Sequence, residues 1–416
     1  MQSSTKRIQV FEHELLYIDE VRNQVKFELK HYVALSKLNI LHDNLYFDTR
    51  HNGIKFKQFV GVIQVDGLTI EILPKIDNSN EKADWQNVLI KMLKVTRKLN
   101  VQKVGNANVN KQNIHLLDIY FEWFLNEVQL LIHQGLIKQY YKETSNVKAL
   151  KGKLEFAGHI SKNLVHKERF YTTHQVYDKD HLLHQIIAKA LSIVEKCSKG
   201  NYFYAKCKTV QLDFPEVKDI AINEETFSKI PQNRKTAPYQ TAIEIAKFII
   251  LNYAPNISSG SEKMLALLFD MNNLWEEYIL TCLKKANIDR QYNISGQQST
   301  SFWNGIKIRP DIVIEKIDSE STTAFVIDTK WKNIGHSQPS THDLRQMYVY
   351  NDYWSSTKAM LLYPSNKAET PKFISFDSID KVKNTHHQCG IGKICILNPD
   401  GSLNKEIGSE ILNWFK

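Results

Sequence analysis

The chain of 416 residues is poor in cysteine and has no long apolar run. Its five cysteines, at positions 197, 207, 282, 389 and 395, form no CxxC pair, which argues against a disulfide framework and favours a reducing cytoplasm. No stretch of about 18 apolar residues occurs, so we expect no membrane span. The opening sequence MQSSTKRIQVFEHELL has no apolar segment of the kind a signal peptide requires.

The signatures of nucleotide hydrolysis and of serine hydrolases are also missing. No G-x-x-x-x-G-K-[ST] occurs, and CGIGKIC at 389–395 lacks both its spacing and its hydroxyl residue, so we predict a turn there. No G-x-S-x-G motif occurs, and no cysteine and histidine stand out as nucleophile and base. Any nucleotide-driven step must therefore come from a partner.

The formal net charge of +9 is unevenly distributed. Residues 256–416 hold 18 basic and 18 acidic side chains, so the whole excess lies in residues 1–255. Residues 138–208 alone hold 14 basic and 6 acidic side chains. This stretch would suit a polyanion such as double-stranded DNA. A solvated basic face without a ligand explains the charge equally well.

Turn and periodicity signals predict three segments in a mixed α/β chain. Residues 8–76 contain Asn52-Gly53 and Asp66-Gly67 between β-prone runs, which predicts two hairpins, and Pro74 should end the last strand. Helical periodicity then predicts helices at 115–135, 178–197 and 241–254, and PNISSGS at 255–261 is the best linker. We predict a β-rich domain at 1–110, a mainly helical basic domain at 111–257 and a third domain at 258–416.

The third segment alternates helical and strand-like patterns, which predicts a mixed sheet flanked by helices. The patterns occur in the order helix 262–285, strand 306–315, strand 323–331, helix 341–355 and strand 358–363, with further strand-like stretches at 372–377 and 391–397.

The two central strands of this segment carry unexpected charges. A hairpin closed by the loop 318–321 would place Ile317 opposite Thr322, and the same register places Asp311 opposite Asp328. Opposed residues have Cβ atoms about 4.5–5.5 Å apart, so the two carboxylates would repel each other. A divalent cation relieves that repulsion, and hard oxygen ligands suit Mg²⁺, with Mn²⁺ as a substitute.

Lys330 lies two residues after Asp328 and therefore points to the same face of the strand. Beside a metal-bound water and a phosphate, a lysine can orient or deprotonate the water, or offset charge on the phosphoryl oxygens. The hairpin thus contains the groups needed for metal-dependent phosphodiester hydrolysis. The alternative is an exposed edge strand with an ordinary salt bridge.

Two helices would add polar groups to this hairpin. In helix 341–355, Ser340 and Asp343 resemble a capping box, and Gln346 and Tyr350 share one face, so Gln346 could hold a water or a phosphate oxygen. The alternative for Gln346 is a buried, hydrogen-bonded core position.

Helix 262–285 is expected to place Met264, Leu267, Leu268, Met271, Trp275 and Tyr278 on its core stripe. Glu276 and Glu277 lie beside this stripe. Either could be a further metal ligand, and periodicity does not choose between them. Plain solvent exposure is the alternative for both.

The motif order helix-Glu, RPD (309–311), DTK (328–330) and QMYVY (346–350) resembles the PD-(D/E)XK nuclease superfamily. More narrowly, the chain resembles the McrC family, the nuclease subunits of modification-dependent McrBC restriction systems. The stretches that carry this likeness are FVGVIQVDGLTIEILPKI (59–76), LKGKLEF (150–156), YDKDHLLHQIIAKAL (177–191) and NNLWEEYI (272–279), in addition to the nuclease motifs.

The resemblance implies residue roles. Asp311, Asp328 and Glu276 would be metal ligands, Lys330 the catalytic lysine and Gln346 the helix glutamine. His184 stands where the family usually has asparagine.

The resemblance also implies a hexameric McrB-like AAA+ GTPase partner that recognises modified cytosine, binds the GTP and translocates double-stranded DNA. The domain at 1–110 would be the adaptor that binds this partner, and the domain at 258–416 would be the PD-(D/E)XK nuclease domain. The chain would stimulate GTP hydrolysis and cut the DNA, and its self-association could bridge two complexes. Two alternatives remain open: a stand-alone PD-(D/E)XK repair or recombination nuclease, and a non-catalytic activator of the GTPase.

Overall fold

The structure is a computed structural model of the chain. It describes residues 6–65, 67–75, 82–96, 116–199, 201–254, 264–317, 322–332, 334, 338–377, 387–398 and 402–415. No helix in these ranges is both long enough and apolar enough to cross a bilayer.

The chain forms two compact units. One unit includes Gln102–Leu267, and the other includes Thr5–Val101 together with Leu268–Lys416. The three predicted domains have limits near 110 and 257. The two units divide the chain differently, because residues 5–101 belong to the same unit as the C-terminal segment.

The elements follow in chain order. The helices are α1 Leu29–Leu41, α2 Lys82–Val95, α3 Leu116–Gln134, α4 Phe156–Asn163, α5 Leu182–Cys197, α6 Tyr202–Asp213, α7 Glu224–Ser228, α8 Gln240–Leu251, α9 Met271–Ala286, α10 Thr341–Tyr353 and α11 Ile407–Asn413. The strands are β1 Lys6–Phe11, β2 Leu15–Tyr17, β3 Val21–Arg22, β4 Val25–Lys26, β5 Phe47–Arg50, β6 Gly53–Phe56, β7 Phe59–Val65, β8 Leu68–Leu73, β9 Gln139–Val147, β10 Lys153–Leu154, β11 Phe170–Asp178, β12 Tyr253–Ala254, β13 Met264–Asp270, β14 Tyr292–Gly296, β15 Thr300–Trp303, β16 Ile306–Ile308, β17 Ile312–Ile317, β18 Thr322–Thr329, β19 Ser356–Ser365, β20 Ile374–Ser375 and β21 Gln388–Cys395.

The first unit combines helices with a small antiparallel sheet. The predicted helices 115–135, 178–197 and 241–254 are confirmed as α3, α5 and α8, with ends shifted by at most four residues. Each buries an apolar face, as an amphipathic helix must. The sheet has the order β10-β11-β9 and alternates half-buried and exposed residues along β9.

The N-terminal part of the second unit contains both predicted hairpins. β5 pairs with β6 from Arg50 and Gly53 outward, so His51 and Asn52 connect the two strands, and Asn52 has a φ of 60°. β7 pairs with β8 through Val65 and Leu68, and Gly67 has a φ of 74°, while Asp66 lies outside the described residues. A positive φ is tolerated best by glycine and asparagine, which is why Asn52 and Gly67 suit these positions.

The C-terminal part of the second unit contains a six-stranded mixed sheet of order β14-β17-β18-β19-β21-β20. β17 and β18 are antiparallel, whereas β18, β19 and β21 run parallel. α10 packs on one face of this sheet, where Met347 and Tyr350 join Val326, Leu361 and Tyr363 in one buried cluster. The helix predicted at 341–355 is confirmed as α10.

The helix predicted at 262–285 is wrong in its first part. Residues 264–270 form β13, so Met264, Leu267 and Leu268 belong to a strand rather than to a helical stripe. A short, fully apolar run has no periodicity that separates strand from helix. Asp270 then caps α9, because its carboxylate accepts hydrogen bonds from the backbone N–H groups of Asn272 and Asn273 at 2.8 and 3.2 Å.

Two further predictions need correction. The single strand expected at 306–315 is interrupted at Arg309 and Pro310, since proline cannot donate to a ladder. The turn expected at 389–395 is strand β21 instead. Its glycines leave room for side chains that pack over the strand, with Phe373 close to Gly390, and Met360 and Trp414 close to Gly392.

Replacement of Asp270 by alanine tests the cap of α9. Asp270→Ala should lower the free energy of unfolding by about 1 kcal/mol, because two N–H groups at the start of the helix lose their acceptor. Urea denaturation followed by circular dichroism measures this change. Asp270→Asn keeps an amide oxygen as acceptor and is the control. An equal loss in both variants would attribute the effect to charge and contradict the role of the cap.

Candidate active site

The hairpin β17–β18 has the predicted register. Ile317 pairs with Thr322 and Ile312 with Ile327, so the next position of the ladder places Asp311 opposite Asp328. The loop 318–321 lies outside the described residues. Asp311 immediately precedes β17, and its Oδ2 accepts hydrogen bonds from the backbone N–H and the hydroxyl of Thr329, at 2.7 and 3.0 Å. The first aspartate is therefore held in place by the backbone of the neighbouring strand.

Asp328 is the most deeply buried acid of the group, with 1% of its surface exposed. The Nζ of Lys330 lies 2.6 Å from Asp328 Oδ2, so the two side chains share a face of the strand as predicted. On the other side, Gln346 Nε2 donates to Asp328 Oδ1 at 3.3 Å. A buried carboxylate needs such partners, because an isolated buried charge costs several kcal/mol or more.

Gln346 belongs to a chain of hydrogen bonds. Its Nε2 also donates to the Tyr350 hydroxyl at 2.7 Å, which confirms that both residues lie on one face of α10. The Tyr350 hydroxyl in turn donates to the backbone carbonyl of Arg309 at 2.8 Å. The chain thus runs from Asp328 to the backbone two residues before Asp311. At the start of α10, Ser340 accepts from the backbone N–H of Asp343, as predicted for a cap.

The structure distinguishes Glu276 from Glu277. Glu276 is buried, and its Oε1 accepts a hydrogen bond from Gln297 Nε2 at 2.5 Å, whereas Glu277 is half-buried. Burial, followed by the charge of Asp311, raises the pKa of Glu276 to about 7. Glu276 is therefore the carboxylate of α9 whose pKa is raised by the charge of Asp311.

Electrostatics distinguish the members of this site. Burial and then the charge of Asp311 raise the pKa of Asp328 to about 7, and burial also raises the pKa of Asp311. For Lys330, burial acts against the ammonium, but the Asp328 carboxylate outweighs it and raises the pKa of Lys330. Two carboxylates that resist ionisation side by side are a donor set that would favour a cation.

A complete metal centre is not preassembled. In the ranges that the structure describes, no three His, Cys, Asp or Glu side chains are grouped so that they could hold a metal ion. Asp311 and Asp328 form the nucleus of a donor set, with Glu276 beside Asp311.

Residues outside the predicted set complete the site. Gln297 donates through its side chain to Glu276 and through its backbone N–H to the Asp311 carbonyl at 2.9 Å. No signal in the sequence marks Gln297, because strand β14, which ends just before it, was not predicted. The hairpin β15–β16 was also missed, although Asn304-Gly305 is a turn signal of the same kind as Asn52-Gly53.

The segment that follows β18 and carries Lys330 is anchored by Glu12, a buried acid just after β1. Glu12 Oε1 accepts hydrogen bonds from Trp331 Nε1 at 2.7 Å and from the backbone N–H of Lys75 at 2.8 Å. Trp331 also packs edge-on against Trp275 of α9, with ring centroids 5.5 Å apart. Burial raises the pKa of Glu12 to about 7. Trp331 therefore links α9, which carries Glu276, to the segment that carries Lys330, and Glu12 holds Trp331 in place.

The fold and this site define a mixed α/β protein that joins an aspartate pair, a lysine and a glutamine. The family model described as McrBC 5-methylcytosine restriction system component matches residues 54–364. Since this match spans most of the chain, the chain belongs to that family. It is similar to the type IV methyl-directed restriction enzyme EcoKMcrBC of Escherichia coli (strain K12), with 24% identity over 287 residues, which cover 64% of this chain and 81% of that protein.

Two solved structures share the fold. One is the refined half-complex from a tetradecameric assembly of Thermococcus gammatolerans McrB AAA+ hexamers with bound McrC, with a TM-score of 0.69, 18% identity and coverage of 99% of this chain and 100% of that chain. The other is the cryo-EM structure of the Thermococcus gammatolerans McrBC complex, with a TM-score of 0.50, 18% identity and coverage of 68% and 88%. At this level of identity the likeness concerns the fold.

The raised pKa of Glu12 predicts a pH-dependent stability. Folding binds a proton at Glu12 between the ordinary pKa of 4.5 and about 7, so this contribution to stability is full below 4.5 and is lost as the pH rises to about 7. Glu12→Gln cannot titrate, so its free energy of unfolding relative to the native chain should rise by at most about 3 kcal/mol between acidic and alkaline pH.

Urea denaturation at several pH values measures this difference. Glu406→Gln, at an exposed glutamate of the same unit, is the control and should show no such trend. A pH-independent difference for Glu12→Gln would contradict the raised pKa.

Proposed function

We propose that this chain is the metal-dependent DNA endonuclease subunit of a McrBC-like type IV restriction complex, and that its C-terminal segment is a PD-(D/E)XK nuclease domain. One observation carries the proposal. Asp311, Asp328 and Lys330 meet at the end of one buried hairpin, and Gln346 donates to Asp328 from the adjacent helix. These are the groups that hydrolysis of a phosphodiester with a metal ion requires.

The carboxylates fit a hard divalent cation. Asp311 and Asp328 would hold Mg²⁺ or Mn²⁺, with Glu276 as the third acid, and water would fill further positions because Mg²⁺ usually keeps several waters. When bound, the metal would activate a water for attack on phosphorus and polarise the phosphoryl oxygen. Burial, and after it the charge of Asp311, raises the pKa values of Asp328 and Glu276, and a bound cation would favour the charged forms that both effects disfavour.

The chain's own residues have distinct tasks in this proposal. Against the effect of burial, Asp328 raises the pKa of Lys330, which favours its ammonium form, and this ammonium would offset charge on the phosphoryl oxygens. Gln346 fixes the Asp328 carboxylate, and Tyr350 fixes Gln346. Such outer-shell hydrogen bonds hold ligands in a productive orientation.

The division of labour with a partner follows from the family. A related McrC is bound to McrB AAA+ hexamers in a tetradecameric assembly. By analogy, we infer that this chain binds a McrB-like AAA+ GTPase hexamer, stimulates its GTP hydrolysis and leaves recognition of modified cytosine to it. The absence of a P-loop motif from the sequence supports this division. The tetradecameric assembly likewise supports self-association that bridges two complexes, and the basic stretch 138–208 would help to hold double-stranded DNA.

Asp328→Ala tests the nuclease assignment. The chain is mixed with its AAA+ partner, GTP, Mg²⁺ and plasmid DNA that is either methylated or unmethylated. The native chain should cut the methylated plasmid. The variant should cut it more than about 100-fold more slowly, because loss of a metal ligand should cost more activity than the roughly 10–100-fold typical of an outer-shell partner. GTP hydrolysis should persist in the variant.

Asp352→Ala removes an exposed aspartate of the same segment and is the matched control. Equal cutting by native chain and Asp328→Ala would refute the site. Cutting by the native chain without the partner would favour a stand-alone nuclease. Stimulation of the GTPase by a native chain that does not cut would favour a non-catalytic activator.

Gln346→Ala tests the outer shell. Loss of the hydrogen bond to Asp328 should slow cleavage by about 10–100-fold and raise the Mg²⁺ concentration needed for half-maximal activity. A Mg²⁺ titration of the cleavage rate measures both effects. An unchanged rate at every Mg²⁺ concentration would show that Gln346 has no role in holding Asp328.

A further inference from the structure

A groove of about 940 Å³ opens beside the site. Gln346 and Tyr350 line its floor, so the groove is continuous with the hydrogen-bond chain that reaches Asp328. Its other walls come from α10 and from the hairpin β15–β16 with the residues that follow it. A substrate bound in this groove would therefore lie next to the two aspartates.

The lining of the groove has one sign of charge. Lys307, Arg309 and Arg345 line it together with His342, and none of the described lining residues is an aspartate or a glutamate. Within the described part of the chain, none of the three cations takes part in an ion pair. This imbalance is local, because residues 256–416 have equal numbers of basic and acidic side chains. Such a cationic groove fits the phosphates of a nucleic-acid backbone.

The hairpin β15–β16 is anchored to α10 and is apolar at its tip. The Phe302 ring packs against Tyr353 of α10, with centroids 5.5 Å apart, and Trp354 Nε1 donates to the side chain of Gln298 at 3.1 Å. At the tip, Trp303 is 66% exposed and Ile306, its cross-strand partner, is 54% exposed. This apolar pair therefore lies beside the groove, because Phe302 and Lys307, the neighbours of the pair in sequence, line it.

From these features, and resting on the proposed nuclease function, we propose that the groove and hairpin form a clamp for duplex DNA beside the cut. Lys307, Arg309 and Arg345 bind backbone phosphates. Trp303, held out by the hairpin, packs against a base step in the adjoining minor groove. Apolar side chains that contact base steps in this way bend the duplex and fix its register, which would present one phosphodiester to Asp311 and Asp328. The clamp residues position the substrate and take no part in bond breaking.

DNA binding by the full chain in metal-free buffer tests the clamp separately from cleavage. A short fluorescein-labelled duplex is titrated at several salt concentrations, and its anisotropy gives the affinity. Lys307→Ala and Arg345→Ala should each reduce the slope of log affinity against log salt by about 0.9, the effect of one lost phosphate contact. Lys405→Ala, at an exposed lysine outside the groove, is the control and should leave the slope unchanged.

The tip of the hairpin has its own signature. Trp303→Ala should weaken binding about fivefold without a change in the salt slope, because the lost contact is apolar. Trp303→Phe keeps an aromatic ring and should retain most of the affinity. All of these side chains are exposed, so the variants should unfold at the native temperature.

The opposite results would overturn the clamp. These are native slopes for both groove variants, or no binding of duplex by the native chain even at low salt. Unchanged DNA affinity of Trp303→Ala with weaker association with the AAA+ partner would assign the tip to a protein interface instead. Normal DNA binding by the groove variants, combined with loss of cutting in Asp328→Ala, would sink the clamp and leave the nuclease. Altered DNA binding by the groove variants, combined with native cutting by Asp328→Ala, would sink the nuclease site and leave a groove that binds DNA.

Discussion

Two carboxylates that are buried side by side are the constraint on which the rest of the site depends. Asp311 and Asp328 occupy facing positions at the end of one hairpin, and neither can ionise at low cost while the other is charged. The surrounding groups reduce this cost. The backbone and hydroxyl of Thr329 bind one carboxylate, and the ammonium of Lys330 lies against the other. The spacing of these residues along β18 is therefore an electrostatic requirement of the pair.

The helix α10 contacts both aspartate-bearing parts of the site, at Asp328 and just before Asp311. Its Gln346 contacts Asp328 directly, and its Tyr350 holds the carbonyl of Arg309, next to Pro310 and Asp311. The same helix packs into the core through Met347, which is fully buried. Because one helix contacts both Asp328 and the backbone that leads into β17, its packing helps to set the separation of the aspartates. Such a separation is a property that a metal site needs to be selective.

Much of this site could be predicted from sequence because its determinants are local. The register of β17–β18 follows from two apolar runs and a short polar loop, and the contact of Gln346 with Tyr350 follows from helical spacing. The strand at 264–270 could not be predicted, because its apolar run has the same composition as the start of a buried helix. The choice of Glu276 depends on Gln297, which reaches it from a turn after a strand that had no clear pattern.

Long-range contacts could not be predicted from the sequence, for a different reason. Glu12 and Trp331 are hydrogen-bonded although 319 positions separate them, and nothing in either neighbourhood marks the pairing. The domain boundary near residue 258, which the linker sequence and the charge balance suggested, does not anticipate this bond. Charge balance describes surfaces, whereas the bond lies in the interior.

The hydrogen bond between Glu12 and Trp331 limits which N-terminal strands can be combined with this C-terminal segment during evolution. A recombination event that replaced the N-terminal strands with those of a relative lacking an acid at this position would leave a buried indole N–H without its acceptor. Trp331, the residue after Lys330, would then lose a hydrogen bond, although neither aspartate nor Lys330 had changed. Substitutions at position 12 and at position 331 should therefore be inherited together, and the N-terminal strands should be transmitted with the C-terminal segment as one heritable block.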